Sequence, residues 1–157
     1  MRSFMGVMED RSRHIVCPAC TAINRVPRDR PAGRATCGAC RKPLFDGHPA
    51  EATTASFDVH LRRNDIPVVA DFWAAWCGPC QMMAPAYARV AAELEPGFRF
   101  LKVDTEAEQE LAGRYGIRSI PTLMIFRDGK PVARQAGAMD ARTLRDWIER
   151  SSGQAAP

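Results

Sequence analysis

The six cysteines of this chain fall into three pairs of one spacing: Cys17-Pro-Ala-Cys20, Cys37-Gly-Ala-Cys40 and Cys77-Gly-Pro-Cys80. Two chemistries suit a C-x-x-C pair. At the start of a helix it can cycle between dithiol and disulfide, and two such pairs can close around one metal ion. The surroundings separate the pairs. Cys77 and Cys80 end the apolar stretch VVADFWAAWCGPC and open a helical pattern. Helix N-terminal amides and the helix dipole would stabilise a thiolate at Cys77. Cys80 lies about one turn deeper and can close a disulfide back onto it. Cys77 would then attack a substrate disulfide, and Cys80 would resolve the mixed disulfide. Pro79 is tolerated there, because the N–H it lacks has no intrahelical partner in a first turn. A second metal site would need a fourth pair, and the sequence has none.

The other two pairs are sixteen residues apart, the spacing of a four-cysteine zinc ribbon. Cys17, Cys20, Cys37 and Cys40 are the expected ligands of one zinc ion. The intervening TAINRVPRDRPAGRAT predicts a short hairpin around Pro31-Ala32-Gly33. A module of about 30 residues has too little core to fold alone, so the metal would supply its stability. Disulfides or free thiols are the alternatives, and the spacing and a reducing compartment weigh against them. His14 reads as a surface residue, since four cysteines already fill a tetrahedral site. His48 and His60 have no metal-like partner in sequence. No organic cofactor is expected.

At 157 residues, 25% charged and 46% apolar, the chain has a globular composition, and disorder along its whole length is excluded. The net charge of +4 is unevenly spread. Between Arg11 and Phe45 there are eight Lys or Arg against one acid, Asp29, and the remainder is slightly acidic. Nucleic acid is disfavoured as a partner, because this basic segment offers only Phe45 for base stacking. No run approaches the ~18 apolar residues of a membrane span. The first residues, MRSFMGVMEDRSRH, carry acids and lack the apolar core of a signal peptide, so a cytoplasmic location is expected.

The patterning divides the chain into a flexible N-terminus (1–13), the ribbon module (14–46), a linker (47–51), an α/β domain (52–150) and a flexible tail (151–157). In the α/β domain Ser56 can cap a short helix carrying Phe57 and Leu61. Ile66 to Trp73 reads as a strand buried on both faces. Cys80 to Glu95 reads as a helix that Pro85 should kink, and Phe98 to Val103 as a second strand, completing a βαβ unit. Glu106 to Tyr115 reads as a polar helix. Thr122–Phe126 and Val132–Gln135 read as strands joined through Asp128-Gly129, a strong hairpin signal. Asp140 can cap a last helix with Leu144, Trp147 and Ile148 inward. An Asp inside VVADFW is unusual, and burial there predicts a raised pKa or a partner.

Residues 66–150 resemble thioredoxin. The resemblance rests on DFWAAWCGPC, KVD at 102–104, YGIRSIPTLMIF at 115–126, DGK at 128–130 and QAGA at 135–138. With the cysteine-rich module in front, the chain resembles the zinc-containing second thioredoxins of bacteria. The resemblance implies a thioredoxin fold, a central mixed β-sheet flanked by helices, with a small N-terminal zinc-ribbon-like module. It implies a protein-disulfide reductase recharged by NADPH through thioredoxin reductase, acting on disulfide-containing client proteins, as a monomer, with a role in oxidative stress. Asp71 would take and return the proton of Cys80, with Lys102 as its partner. Pro121 would follow a cis peptide bond and bring the backbone of Ile120 beside Cys77. Trp76, Gly78, Pro79, Gly137 and Ala138 would line the client groove, and Trp73 would support the site. Gln81 departs from the family, many of whose members carry a basic residue after the second cysteine. Two other functions remain open at this point: a zinc-ribbon binding or holdase module that uses the thioredoxin-like domain as a docking platform, and a thiol oxidant or isomerase.

Overall fold

A computed structural model describes residues 12–152. Strands β1 (Ser12–Val16) and β2 (Ile23–Pro27) form an antiparallel ribbon. There follow β3 (Ala50–Glu51), helix α1 (Thr54–Arg63), β4 (Val68–Trp73), α2 (Gly78–Leu94) and β5 (Arg99–Asp104). The chain ends with α3 (Gln109–Arg114), β6 (Thr122–Arg127), β7 (Lys130–Ala136) and α4 (Ala141–Ser151). Strands β3 to β7 make one mixed sheet of order β3-β5-β4-β6-β7. β3 and β4 run parallel to β5, while β6 runs antiparallel to β4 and β7.

The βαβ unit is formed as the apolar pattern implies. β4 is buried along almost its whole length because helices cover both faces. On one face Val69, Phe100, Leu123 and Ile125 pack with Met83, Tyr87 and Val90 of α2 and Leu144, Trp147 and Ile148 of α4. On the other, Val68, Phe72, Val103 and Phe126 pack with Phe57 and Leu61 of α1 and Leu111 of α3. Asp140 caps α4 by accepting from the Thr143 amide at 2.8 Å. α2 continues through Pro85 to Leu94.

Several expectations need correction. Thr53, not Ser56, is the N-cap of α1. Ser56 stands at the third helical position and bonds back to the Thr53 amide, giving a reciprocal capping box. The polar helix shrinks to Gln109–Arg114, because Asp104 instead ties the amides of Glu106 and Ala107 into a turn. Ala32–Arg34 forms a 3-10 turn capped by Pro31, not a hairpin. The hairpin of the module is closed instead at the first cysteine knuckle, between β1 and β2. The stretch read as a linker holds β3, an edge strand of the main sheet. Ser12 and Arg13 belong to β1, and Ser152 is buried, with its carbonyl accepting from Arg127. The remainder of the two segments read as flexible, 1–11 and 153–157, lies outside the described residues.

The ribbon is seated on the domain. Its core of Ile15, Cys17, Val26, Cys37, Leu44 and Phe45 is closed by Ile66, the residue that leads into β4. Arg99, the first residue of β5, is the main fastening and is only 1% exposed. Its guanidinium donates to the carbonyls of Leu44 (2.7 Å) and Val16 (3.1 Å), lies 4.4 Å from the Phe45 ring centroid and faces Glu95 at 3.8 Å. The Val16 amide donates to Asn64 and the Gly47 amide to Glu95. His14 pairs with Asp65 at the rim, as a surface residue.

Candidate functional site

β4 delivers the chain to Cys77, the N-cap of α2, at the C-terminal edge of the sheet. A disulfide joins Cys77 and Cys80, whose Cα atoms are 5.2 Å apart. The Cys80 amide points at the Cys77 sulfur, 3.2 Å away. That amide and the helix dipole favour a thiolate on Cys77 once the disulfide opens. The sulfur lies 3.6 Å from the carbonyl oxygen of Ile120. The Ile120–Pro121 peptide is cis. The Gly137 amide donates to the Pro121 carbonyl at 2.8 Å, with Gly137 at φ +100°, a region glycine enters without a Cβ penalty.

Both cysteines are largely buried, with Ala74, Trp73 and Ile120 packed around them. Gly78, Pro79, Gly137 and Ala138 are exposed. Trp76 is 68% exposed, and its indole donates to Glu106 at 2.7 Å. The Gln81 side chain turns back to the Ala75 carbonyl.

Asp71 lies two residues before Trp73, on the same strand face. It is 1% exposed, and its Oδ1 has no hydrogen-bond partner. Burial pushes its carboxyl up to about 7, Lys102 beside it pulls the other way, and Glu51 adds to the rise. Lys102 pairs with Asp71 in strand register. Its ammonium sits 4.3 Å above the Trp73 ring and makes no ion pair with Asp71 within 4.0 Å. The lysine partner expected from the sequence is therefore an electrostatic neighbour of Asp71, braced on an aromatic face.

The two knuckles of the ribbon share one design. In each, the second residue after the first cysteine donates its amide to that cysteine's sulfur at 3.3 Å, Ala19 to Cys17 and Ala39 to Cys37. In each, the residue after the second cysteine is left-handed, Thr21 at φ 62° and Arg41 at φ 70°. The four sulfurs lie within 4.8 Å of one another, with Cys17–Cys40 and Cys20–Cys37 at 3.6 Å. Tetrahedral Zn–S bonds of about 2.3 Å require sulfurs about 3.8 Å apart, so the donor set fits such an ion. The Cys40 amide, then Asn24 and the Ala39 amide, bring the Cys37 thiol down to about 6. The Ala22 amide favours the Cys20 thiolate, but partial loss of hydration and the other three sulfurs crowded beside it outweigh it and push that exposed thiol to about 12.

The family model described as Thioredoxin matches residues 48–150, and that described as Thioredoxin 2, N-terminal, matches residues 16–42. The chain belongs to the thioredoxin family. Thioredoxin C-3 of Corynebacterium nephridii is 41% identical over 140 residues, covering 89% of this chain and 96% of that one. Thioredoxin 1 of a Nostoc species is 43% identical over 101 residues, 64% of this chain and 94% of that one. A solved mutant thioredoxin from Halobacterium salinarum superposes with a TM-score of 0.62 at 36% identity, over 69% of this chain and 94% of that one. The protein is accordingly a thioredoxin-type disulfide oxidoreductase with a metal-binding cysteine cluster. No helix among the described residues is long and apolar enough to cross a membrane.

Sequence reasoning missed three residues of this thioredoxin's sites. Asn24 donates to the Cys37 sulfur and accepts from the Gly38 amide, bracing the second knuckle from the ribbon. Glu106 tethers Trp76. Glu51 lies in register with Lys102. Each reaches its partner across a strand or loop, so no local spacing announces it.

Proposed function

We propose that the protein is a protein-disulfide reductase working through Cys77 and Cys80. The strongest support is the Cys77 sulfur itself, held at a helix N-terminus beside the Ile120 carbonyl and below an exposed rim. In the reduced enzyme the Cys77 thiolate attacks one sulfur of a client disulfide. A new S–S bond forms to Cys77, and the other client sulfur leaves as a thiolate that takes a proton from water. Cys80 gives its proton to Asp71 and attacks the Cys77 sulfur. The Cys77–Cys80 disulfide closes, the second client sulfur leaves, and Asp71 returns the proton to it. Two electrons have passed to the client. NADPH, acting through thioredoxin reductase, would restore them.

A carboxyl near 7 suits a group that must both accept and donate a proton at neutral pH. Lys102 limits how far burial raises it. An extended client segment would pair with the backbone of Ile120 beside cis Pro121, as an added strand. Trp76, Gly78, Pro79, Gly137 and Ala138 would flank it. Cys17, Cys20, Cys37 and Cys40 would hold one zinc ion, which supplies folding stability to a module with little core of its own. These redox and ligand roles for cysteine suit a reducing cytoplasm.

The test couples NADPH oxidation to reduction of a disulfide-bonded protein in the presence of thioredoxin reductase. Sustained turnover is expected, abolished by Cys77→Ser. Cys80→Ser should accumulate a client disulfide-linked to Cys77, visible by mass on a non-reducing gel. Absence of turnover by the folded protein would overturn the reading in favour of an oxidant, an isomerase or a binding module.

A further inference from the structure

Glu51 is the last residue of β3 and the register partner of Lys102, which is in turn the register partner of Asp71. Register partners present their side chains on one face of a sheet. Glu51, Lys102 and Asp71 thus form a row across three neighbouring strands, carboxylate, ammonium, carboxyl. Exposure falls along it: Glu51 is exposed, Lys102 half-buried and Asp71 buried. One cation stands between two acids, and the inner acid has a buried oxygen without a partner.

We propose that Glu51 is a positioning residue of the redox site, acting through Lys102 to set the proton affinity of Asp71. The exposed carboxylate draws on the same ammonium that would otherwise serve Asp71 alone, and adds a like charge two strands away. Both effects disfavour ionisation of Asp71. Without Glu51, Asp71 would hold its proton less tightly and be a poorer donor to the departing client thiolate. The proposal rests on Asp71 acting as the proton carrier described above.

The other groups around the row are few. From α2, the Tyr87 hydroxyl is occupied by the carbonyls of Leu101 and Val69, and Cys77 and Cys80 pack against Trp73, the next residue of β4 on the Asp71 face. From β6, the register partner of Asp71 is the uncharged Leu123. On β5, Asp104 acts on Glu51 as a further like charge. Lys42, Asp46 and His48 share a surface cleft with Glu51, on the ribbon side.

The test is Glu51→Gln in the full-length, metal-loaded protein. The Asp71 carboxyl is titrated in the oxidised form by its infrared carbonyl stretch. The reduced form is followed through single-turnover reduction of a disulfide peptide across the neutral range. The expected result is a fall of roughly half a pH unit in the Asp71 midpoint, the size of one charge about 10 Å away in a partly solvated setting. The acid limb of the reduction profile should fall with it. Glu51→Asp, which keeps the charge, should stay near the parent, and Glu51→Lys should fall further. An infrared midpoint unmoved in both Glu51→Gln and Glu51→Lys would overturn the proposal. Asp71→Asn separates the two claims. If it leaves the reduction profile like the parent's, Asp71 is not the proton carrier. If it changes the profile and the Glu51 variants do not, the carrier stands and the role of Glu51 falls.

Discussion

At the scale of single residues, Asp71 carries a cost as well as a task. Folding raises its pKa from 3.8 to about 7, so the folded protein holds a proton that the unfolded chain releases. Stability must therefore fall as pH rises from about 4 towards 7 and stay lowered above it. Asp71→Asn removes that penalty. The variant should gain at most about 4 kcal/mol above pH 7 and almost nothing near pH 4, while client reduction slows. Urea denaturation at the two pH values checks the first part, and the reductase assay the second. A carboxylate so placed was legible in VVADFW, because an acid inside a doubly buried strand has few structural uses. Its surroundings were not. Lys102, thirty-one residues away, came only through the family resemblance, and Glu51, twenty residues away, did not come at all, because only sheet register brings the three into line.

Among the elements, the β6–β7 hairpin is the one most completely written in local sequence. Asp128 and Gly129 take φ values of 53° and 79°, the signature of the tight turn that an Asp-Gly pair announces. The turn also backs against α1: a Cβ on Gly129 would lie 3.3 Å from the Leu61 carbonyl oxygen. Gly129→Ala should cost about 1–2 kcal/mol, from the left-handed backbone together with that contact, read as a lower denaturation midpoint. The ribbon was legible in its ligands and not in its path. Pro31-Ala32-Gly33 carries turn residues, but the turn that reverses the chain lies at Cys17–Cys20, where amide-to-sulfur bonds set the geometry. Turn chemistry dictated by sulfur is invisible to rules built on glycine and proline. The edge strand β3 was hidden for another reason. Two residues are too few to show an alternation, and they pair because β5 offers an open edge.

In the whole molecule the ribbon and the domain share one fastening, so their stabilities are linked. Chelation of the metal from the four cysteines should unfold the ribbon and lower the melting temperature of the remaining domain as well. Arg99, Glu95 and Ile66 would all lose their cover. Calorimetry with and without a chelator checks this, and an unchanged domain transition would show that the two are independent. The nature of the fastening also decides how it answers to ionic strength. Surface pairs such as Arg145–Glu93 and Arg114–Asp58 weaken as salt screens them. Arg99 is shut away from mobile ions, and its Nη2 donates to two main-chain carbonyls, those of Val16 and Leu44. The ribbon should therefore stay seated when osmotic shock concentrates the solution around the protein, even as the charges on its outer surface cease to feel one another.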